Sequence, residues 1–308
     1  MGEWSKTVGE FGESTVANFL TLIGWTNTLN NLEIKCLEGR THSDAKNRST
    51  HGIDLHFAYK SPLFDGVLKD ICISVKYTSN KYLQYPKSTF KSYFEDLVYT
   101  IECFTNSEIR RDILSHYVGI NSIEKVGVIF WLSNDPETYD DMISKVSSTQ
   151  TITSNKVNSI FLVDNKRVEF IYNSLRFTKY KFPNHEIDFF YPSTGKNIMP
   201  TTRQSYGKIL PVEYINTSII PLRIANLANG SIHLLLFSID NFSSSDLKRL
   251  IGLAQELCGS WTNSVYIAFP DYNELSHQRE VTMVKGAFEE QVVKNLRVDC
   301  YKDNFKSI

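Results

Sequence analysis

His51-Gly52-Ile53-Asp54-Leu55-His56-Phe57-Ala58-Tyr59 and Leu68-Lys69-Asp70-Ile71-Cys72-Ile73-Ser74-Val75-Lys76-Tyr77 decide how this chain folds. Both runs are rich in β-branched and aromatic residues, and the connection between them carries Pro62 and the turn pair Asp65-Gly66, so they read as a hairpin. Successive side chains of a strand alternate faces. Ile53, Leu55, Phe57 and Tyr59 therefore point one way, and Asp54, His56 and Ala58 the other. In the second run Ile71, Ile73, Val75 and Tyr77 share the apolar face, opposite Cys72, Ser74 and Lys76. With the turn centred near Asp65, Asp54 lies across from Lys76 and His56 across from Ser74.

Outward from the hairpin, residues 6 to 24 have a helical period. Val8, Phe11, Val16, Phe19, Leu20 and Ile23 form one stripe, and Gly24 supplies a stop. At about 100° per residue, Glu13 falls about 100° from the centre of that stripe, whereas Glu10 falls near the opposite pole. Glu13 can thus lean over a sheet edge. A short strand is expected over 32–37, then a polar loop over 38–51 with Arg40, Lys46 and Arg48. One or two helices follow over 87–117, a buried strand over 125–132, a helix over 136–146, and strands over 157–163 and 168–172.

Pro183, Pro192, Pro200 and Pro211, with Gly195 and Gly207, interrupt the periodicity and place a boundary near residue 200. The expected domains are 1–199 and 200–308. In the second, 219–227 and 231–239 flank the turn signal Ala228-Asn229-Gly230. A helix over 244–258 opens with a Ser243/Asp246 capping box and ends at Gly259. A strand over 264–269 and a last helix over 288–296 complete it.

The 308 residues, 42% of them hydrophobic, can fill two cores. Apolar runs are far shorter than the roughly 20 residues that span a bilayer, and the first residues have no signal-peptide pattern. Cys36, Cys72, Cys103, Cys258 and Cys300 form no CxxC and have no His at ligand spacing. They read as reduced thiols of a cytoplasmic protein, neither a disulfide framework nor a zinc knuckle. A net charge of −1 argues against coating nucleic acid by bulk attraction, but not against a nuclease, whose pocket must itself be acidic to hold a cation. Ser193-Thr194-Gly195-Lys196 lacks the first glycine of a phosphate-binding loop, which removes a nucleotide-driven motor.

Glu13, Asp54 and Lys76 converging at a sheet edge suit phosphodiester hydrolysis with Mg²⁺, because carboxylates hold the cation and a lysine steers the attacking water. Taken singly, each also reads as ordinary solvated surface. His56 is a minor candidate for contact with metal or substrate, and a structural histidine otherwise. Lys166, Arg167, Arg176, Lys179 and Lys181, interleaved with Phe170, Tyr172, Phe177, Tyr180 and Phe182, suit either a nucleic-acid surface or a plain amphipathic hairpin.

These stretches resemble the PD-(D/E)XK nuclease superfamily of restriction endonucleases, junction resolvases and RecB-type domains. Gly12-Glu13-Ser14-Thr15-Val16-Ala17-Asn18-Phe19-Leu20-Thr21-Leu22-Ile23-Gly24 is similar to its first helix, His51 to Leu55 to its second motif, and Ile73 to Tyr77 to its (D/E)XK strand. The resemblance covers about residues 5 to 135. It implies an α/β fold with a restriction-endonuclease-like αβββαβ core and a mixed sheet, to which a C-terminal α+β unit is added. It also implies Mg²⁺, with Mn²⁺ as a substitute, held by Asp54, Glu13 and the Val75 carbonyl, with Ser74 as a further ligand. Ser74 stands where the family has Glu or Asp, which removes one ligand; Glu13 or Glu33 is then the source of the missing charge.

The implied activity is a DNA endonuclease of a restriction or anti-phage defence setting. The alternatives are a structure-specific repair nuclease and an inactive nuclease-like scaffold binding DNA or a partner subunit. Arg40, Lys46, Arg48, Lys179 and Lys181 are the expected DNA contacts. A homodimer or a complex with a second subunit is the expected assembly, without a membrane.

Overall fold

The computed structural model describes residues 2–42, 47–135, 140–258 and 261–302. The chain divides into two compact units, Met1–Val168 and Glu169–Ile308. The division falls about thirty residues before the expected boundary, because the proline-bearing stretch contributes edge strands to the second sheet.

The first unit runs α1 (Gly2–Leu22), β1 (Leu29–Lys35), β2 (Thr50–Lys60), β3 (Val67–Thr78), α2 (Lys87–Thr105), α3 (Glu108–Ser115), β4 (Ser122–Ser133), α4 (Met142–Val146) and β5 (Ser159–Val163). Its sheet has the order β1-β2-β3-β4-β5; the first three strands form an antiparallel meander, and β4 and β5 join in parallel. This is the expected αβββαβ core with one strand added. Helix α1 buries Val16, Phe19, Leu20 and Ile23, and Phe19 meets Phe130 of β4 edge-on with centroids 5.9 Å apart. On α2, Phe90, Leu97, Ile101 and Phe104 pack in one cluster with Cys72, Ile129 and Trp131.

Helices thus cover both faces, and that changes the reading of the hairpin. The side given to polar residues is core for much of its length: His56 and Asp70 are each only 2% exposed. They survive burial because they pair. His56 Nε2 lies 2.8 Å from Asp70 Oδ1, and Arg110 of α3 donates to Asp70 Oδ2 at 2.7 Å. Burial works against the Asp70 charge, but His56 and Arg110 outweigh it and hold the carboxyl below its usual range. His56 is therefore a structural residue. At one end of this face Asp54, Ser74 and Lys76 stay half-buried.

Helix α4 begins at Met142, capped by Asp141, which accepts the Ser144 N–H at 3.0 Å; residues 136–139 of the expected helix lie outside the described residues. Cys36 and Cys103, expected as separate thiols, come together with His42 and His51.

Helix α5 (Asn165–Lys181) replaces the strand expected over 168–172. Phe170, Ile171, Ser174, Leu175 and Thr178 are its buried residues from Phe170 on, a helical spacing. Two polar members disguise it. Ser174 and Thr178 satisfy their hydroxyls on the carbonyls four residues back, at 2.8 and 2.7 Å.

The second unit continues with β6 (Glu186–Phe190), β7 (Tyr206–Gly207), β8 (Ile219–Ala225), β9 (Ile232–Ser238), α6 (Ser244–Cys258), β10 (Ser264–Phe269), α7 (Glu274–Lys285), α8 (Glu290–Val293) and β11 (Leu296–Cys300). Its mixed sheet has the order β11-β10-β9-β8-β6-β7. The β8–β9 hairpin turns through Gly230 at φ 72°, and the capping box forms, with the Asp246 N–H donating to Ser243 Oγ at 3.1 Å. Gly259 lies outside the described residues. Helix α7 escaped the sequence reading because among its residues only Val281 is buried. The helix expected over 288–296 is a single turn, since Leu296 already belongs to β11. Among the described residues, no helix is long and apolar enough to cross a membrane.

Candidate active site

Glu13 reaches the sheet because α1 crosses β3 unusually closely. A Cβ on Gly12 would come within 2.4 Å of the Tyr77 Cβ, so only glycine lets the helix sit this low. Phe11, expected in the buried stripe, is 57% exposed and lies against the Tyr77 ring, centroids 5.6 Å apart. Glu13, directly after Gly12, is half-buried and bonds to the Asn31 side chain.

The hairpin fixes Asp54. Its ladder pairs Leu55 with Ile73 and His56 with Cys72 through to Lys60 with Leu68, so the turn centres on residue 64. That is one position from the expected centre, and the expected partners move by two. Asp54 therefore stands across from Ser74, not Lys76, and His56 across from Cys72, not Ser74. An even shift preserves every face, so Asp54, Ser74 and Lys76 still share a side. Past Leu55 the regular ladder stops: the Asp54 carboxylate accepts the Val75 N–H at 2.6 Å and a hydrogen bond from Ser74. On the other flank Asn31 interrupts the β1–β2 ladder with φ 53°, a left-handed conformation that Asn tolerates.

Charge is concentrated here. Burial pushes the Asp54 carboxyl above its usual range, further raised by Asp96 and only partly offset by the Val75 N–H, Lys76 and Ser74. Burial also raises Glu13, and the charges of Asp54 and Glu10 add to it. Two carboxylates disfavoured as anions, with the amide of Asn31 and the hydroxyl of Ser74 beside them, make a hard oxygen donor set that fits Mg²⁺ or Mn²⁺. The Lys76 ammonium lies over the Tyr93 ring, 5.3 Å from its centroid.

Asp96 and Arg48 complete the surroundings. Arg48 bridges to Asp96 at 2.5 Å and donates to the Thr50 carbonyl at 2.9 Å, tying the polar loop to α2. The role of Asp96 was missed, yet a signal existed. Tyr93, Asp96, Thr100 and Cys103 follow at helical spacing and form one stripe of α2. Of the expected DNA contacts, Arg40 and Lys179 are exposed, Lys181 bridges to Asp299 at 2.7 Å, and Lys46 lies outside the described residues.

A helix-borne glutamate, a strand aspartate at a parting hairpin and a lysine two residues beyond the aspartate's partner define the PD-(D/E)XK class of nuclease domain. The family model of the GAPS4 protein PD-(D/E)XK nuclease domain matches residues 1–167, and the chain belongs to that family. No curated protein and no solved structure matches it.

Proposed function

We propose that the protein is a metal-dependent DNA endonuclease of an anti-phage defence system, working in the cytoplasm. The observation that carries this reading is the half-buried, mutually interacting pair Glu13 and Asp54, each held above the usual carboxylate range, with Lys76 acting on Asp54. Mg²⁺, or Mn²⁺ in its place, would be held by Glu13, Asp54 and the Val75 carbonyl, with Ser74 as a further ligand, and would supply Lewis acidity at the scissile phosphate. Lys76 orients the attacking water and offsets the charge that builds on the phosphate, while the Tyr93 ring holds the ammonium over the pocket. Asp96, whose charge acts on Asp54, supplies acidic charge to a site that has Ser74 where the family pattern has a carboxylate. The defence setting is supported by the GAPS4 family, an anti-phage defence family. The second unit, set off in our reading as a domain of its own, supplies dimerisation, a surface for a second subunit, or target selection.

Plasmid cleavage with and without Mg²⁺ tests the reading, the expected result being nicked and linear product only with the cation. A full-length protein that binds DNA but cuts it with neither Mg²⁺ nor Mn²⁺ would favour the second reading, an inactive nuclease-like scaffold, for which Ser74 is the specific observation. Ser74→Glu decides how much that residue matters: it adds a carboxylate on the face of Asp54 and Lys76, so cleavage is retained or increased. Loss of folding in this variant would mean that the side chain points into the core.

Arg40, Lys46, Arg48, Lys179 and Lys181 are the proposed phosphate contacts. Removing any one of these charges lowers the slope of log affinity against log salt by about one unit, at every sequence alike. Arg40→Ala and Lys179→Ala test the two exposed members. An unchanged slope and affinity would move the DNA path elsewhere.

A further inference from the structure

Cys36 follows β1, His42 lies in the connection beyond it, His51 is the second residue of β2, and Cys103 sits near the end of α2. Their ligand atoms all lie within 4.8 Å of one another. His42 Nδ1 is 3.4 Å from Cys36 Sγ, 3.5 Å from Cys103 Sγ and 3.3 Å from His51 Nε2. A neutral imidazole nitrogen carries one N–H or one lone pair, so it serves one hydrogen bond, not three. The three distances instead match the edges of a tetrahedron around one ion. Zn–S of about 2.3 Å and Zn–N of about 2.0–2.1 Å give S···N edges near ~3.6 Å and an N···N edge near ~3.3 Å.

The outer ring nitrogens settle where the lone pairs are. The Thr100 hydroxyl donates to the Asp96 carbonyl at 2.8 Å, so toward His51 Nδ1, 3.3 Å away, it accepts. His51 is then protonated on Nδ1 and turns the lone pair of Nε2 inward. His42 Nε2 lies 3.4 Å from the Glu102 carboxylate, which fixes the proton there and turns the Nδ1 lone pair inward. Two lone pairs face each other at 3.3 Å among two sulfurs, in a group of which only Cys36 is not fully buried. A cation between them removes the repulsion. A carboxylate and a hydroxyl behind the ligating imidazoles are the usual outer partners of such a site, and the Leu37 N–H donates to Cys103 Sγ at 3.4 Å.

We propose that Cys36, His42, His51 and Cys103 bind a structural Zn²⁺, separate from the catalytic cation. Four protein ligands leave no open position, which marks a structural site. A two-iron cluster would spread its ligand pairs over two metals, whereas these four atoms lie within 4.8 Å of one another, a spread that suits a single ion. The ion clamps the connection bearing Arg40 and Arg48 onto α2 and fixes the start of β2, three residues before Asp54. Sequence spacing concealed the site because Cys103 arrives from a helix that packs on the sheet.

The full chain, purified without chelator, is analysed for metal. The expected result is a single zinc per chain, kept by Asp54→Ala and lost from Cys36→Ser and from Cys103→Ser. Replacement by Co²⁺ in the wild type gives the intense visible bands of a tetrahedral ion and near-ultraviolet thiolate charge transfer. This second measurement decides the matter where the serine variants fail to fold. Iron in place of zinc, no metal in the wild type together with no thiolate–cobalt band, zinc retained by both serine variants, or zinc lost with Asp54→Ala would each overturn the proposal. The readout is metal content, so an inactive nuclease pocket leaves it untouched.

Discussion

Asp54→Ala and Lys76→Ala each lose metal-dependent plasmid cleavage by about 10²–10³-fold or more while the fold is kept. Neither side chain is a packing residue: both are half-buried at the open end of their sheet face. The structural contacts of Asp54 are the hydrogen bonds it accepts from the Val75 N–H and from Ser74. Its removal leaves a donor that water can reach, and its burial currently opposes its charge. The sign of that opposition gives a second readout. The folded-state pKa of Asp54 lies above the unfolded value, so in the pH range between the two the native state binds more protons. Stability is then lost as pH rises through that range, upward from about 3.9. Asp54→Asn, in chelator at neutral pH, therefore raises stability even as it abolishes cleavage. Cleavage at the wild-type rate in either alanine variant would place the chemistry elsewhere.

How far the sequence carried depended on whether a signal was local. The hairpin parity, the helix before it and the order of elements in the first unit are local patterns, and all three were readable, as was the approach of Glu13 and Lys76 to Asp54. The register was not, because one extra position in a connection of six residues between Lys60 and Val67 moves every partner by two without altering a single face. Helix α5 was hidden by Ser174 and Thr178, polar residues whose hydroxyls turn back onto their own helix. The contribution of Asp96 depends on α2 lying over the parting strands, and that of Arg48 on a loop folded back to meet it. Such pairs are far apart in sequence, and no period links them. Covering both sheet faces also erased the distinction between polar and core sides on which the reading of His56 rested.

Asp70→Ala destabilises the first unit by about 3–5 kcal/mol, the size expected when one member of a buried charged group is removed. Asp70 is only 2% exposed, and both carboxylate oxygens are engaged, by His56 and by Arg110. Its loss leaves the Arg110 guanidinium, itself largely buried, without its carboxylate under α3, which is the costly half of the change. The native group also implies acid sensitivity. Because the folded pKa of Asp70 is depressed, its contribution is fully present above the unfolded value of about 3.9 and is lost as pH falls through the folded one. Wild-type stability therefore falls on acidification through that window, and the dependence is shallower in the variant. Urea unfolding at neutral pH and in acid measures both effects, following the first unit's transition, since two units need not unfold together. Replacing His56, Asp70 and Arg110 together by apolar residues of similar volume should recover much of the loss, because no charge is then left buried without a partner. A single Asp70→Ala variant as stable as wild type, with the same acid dependence, would show that the carboxylate is solvated and that the sheet face beneath α2 and α3 is open.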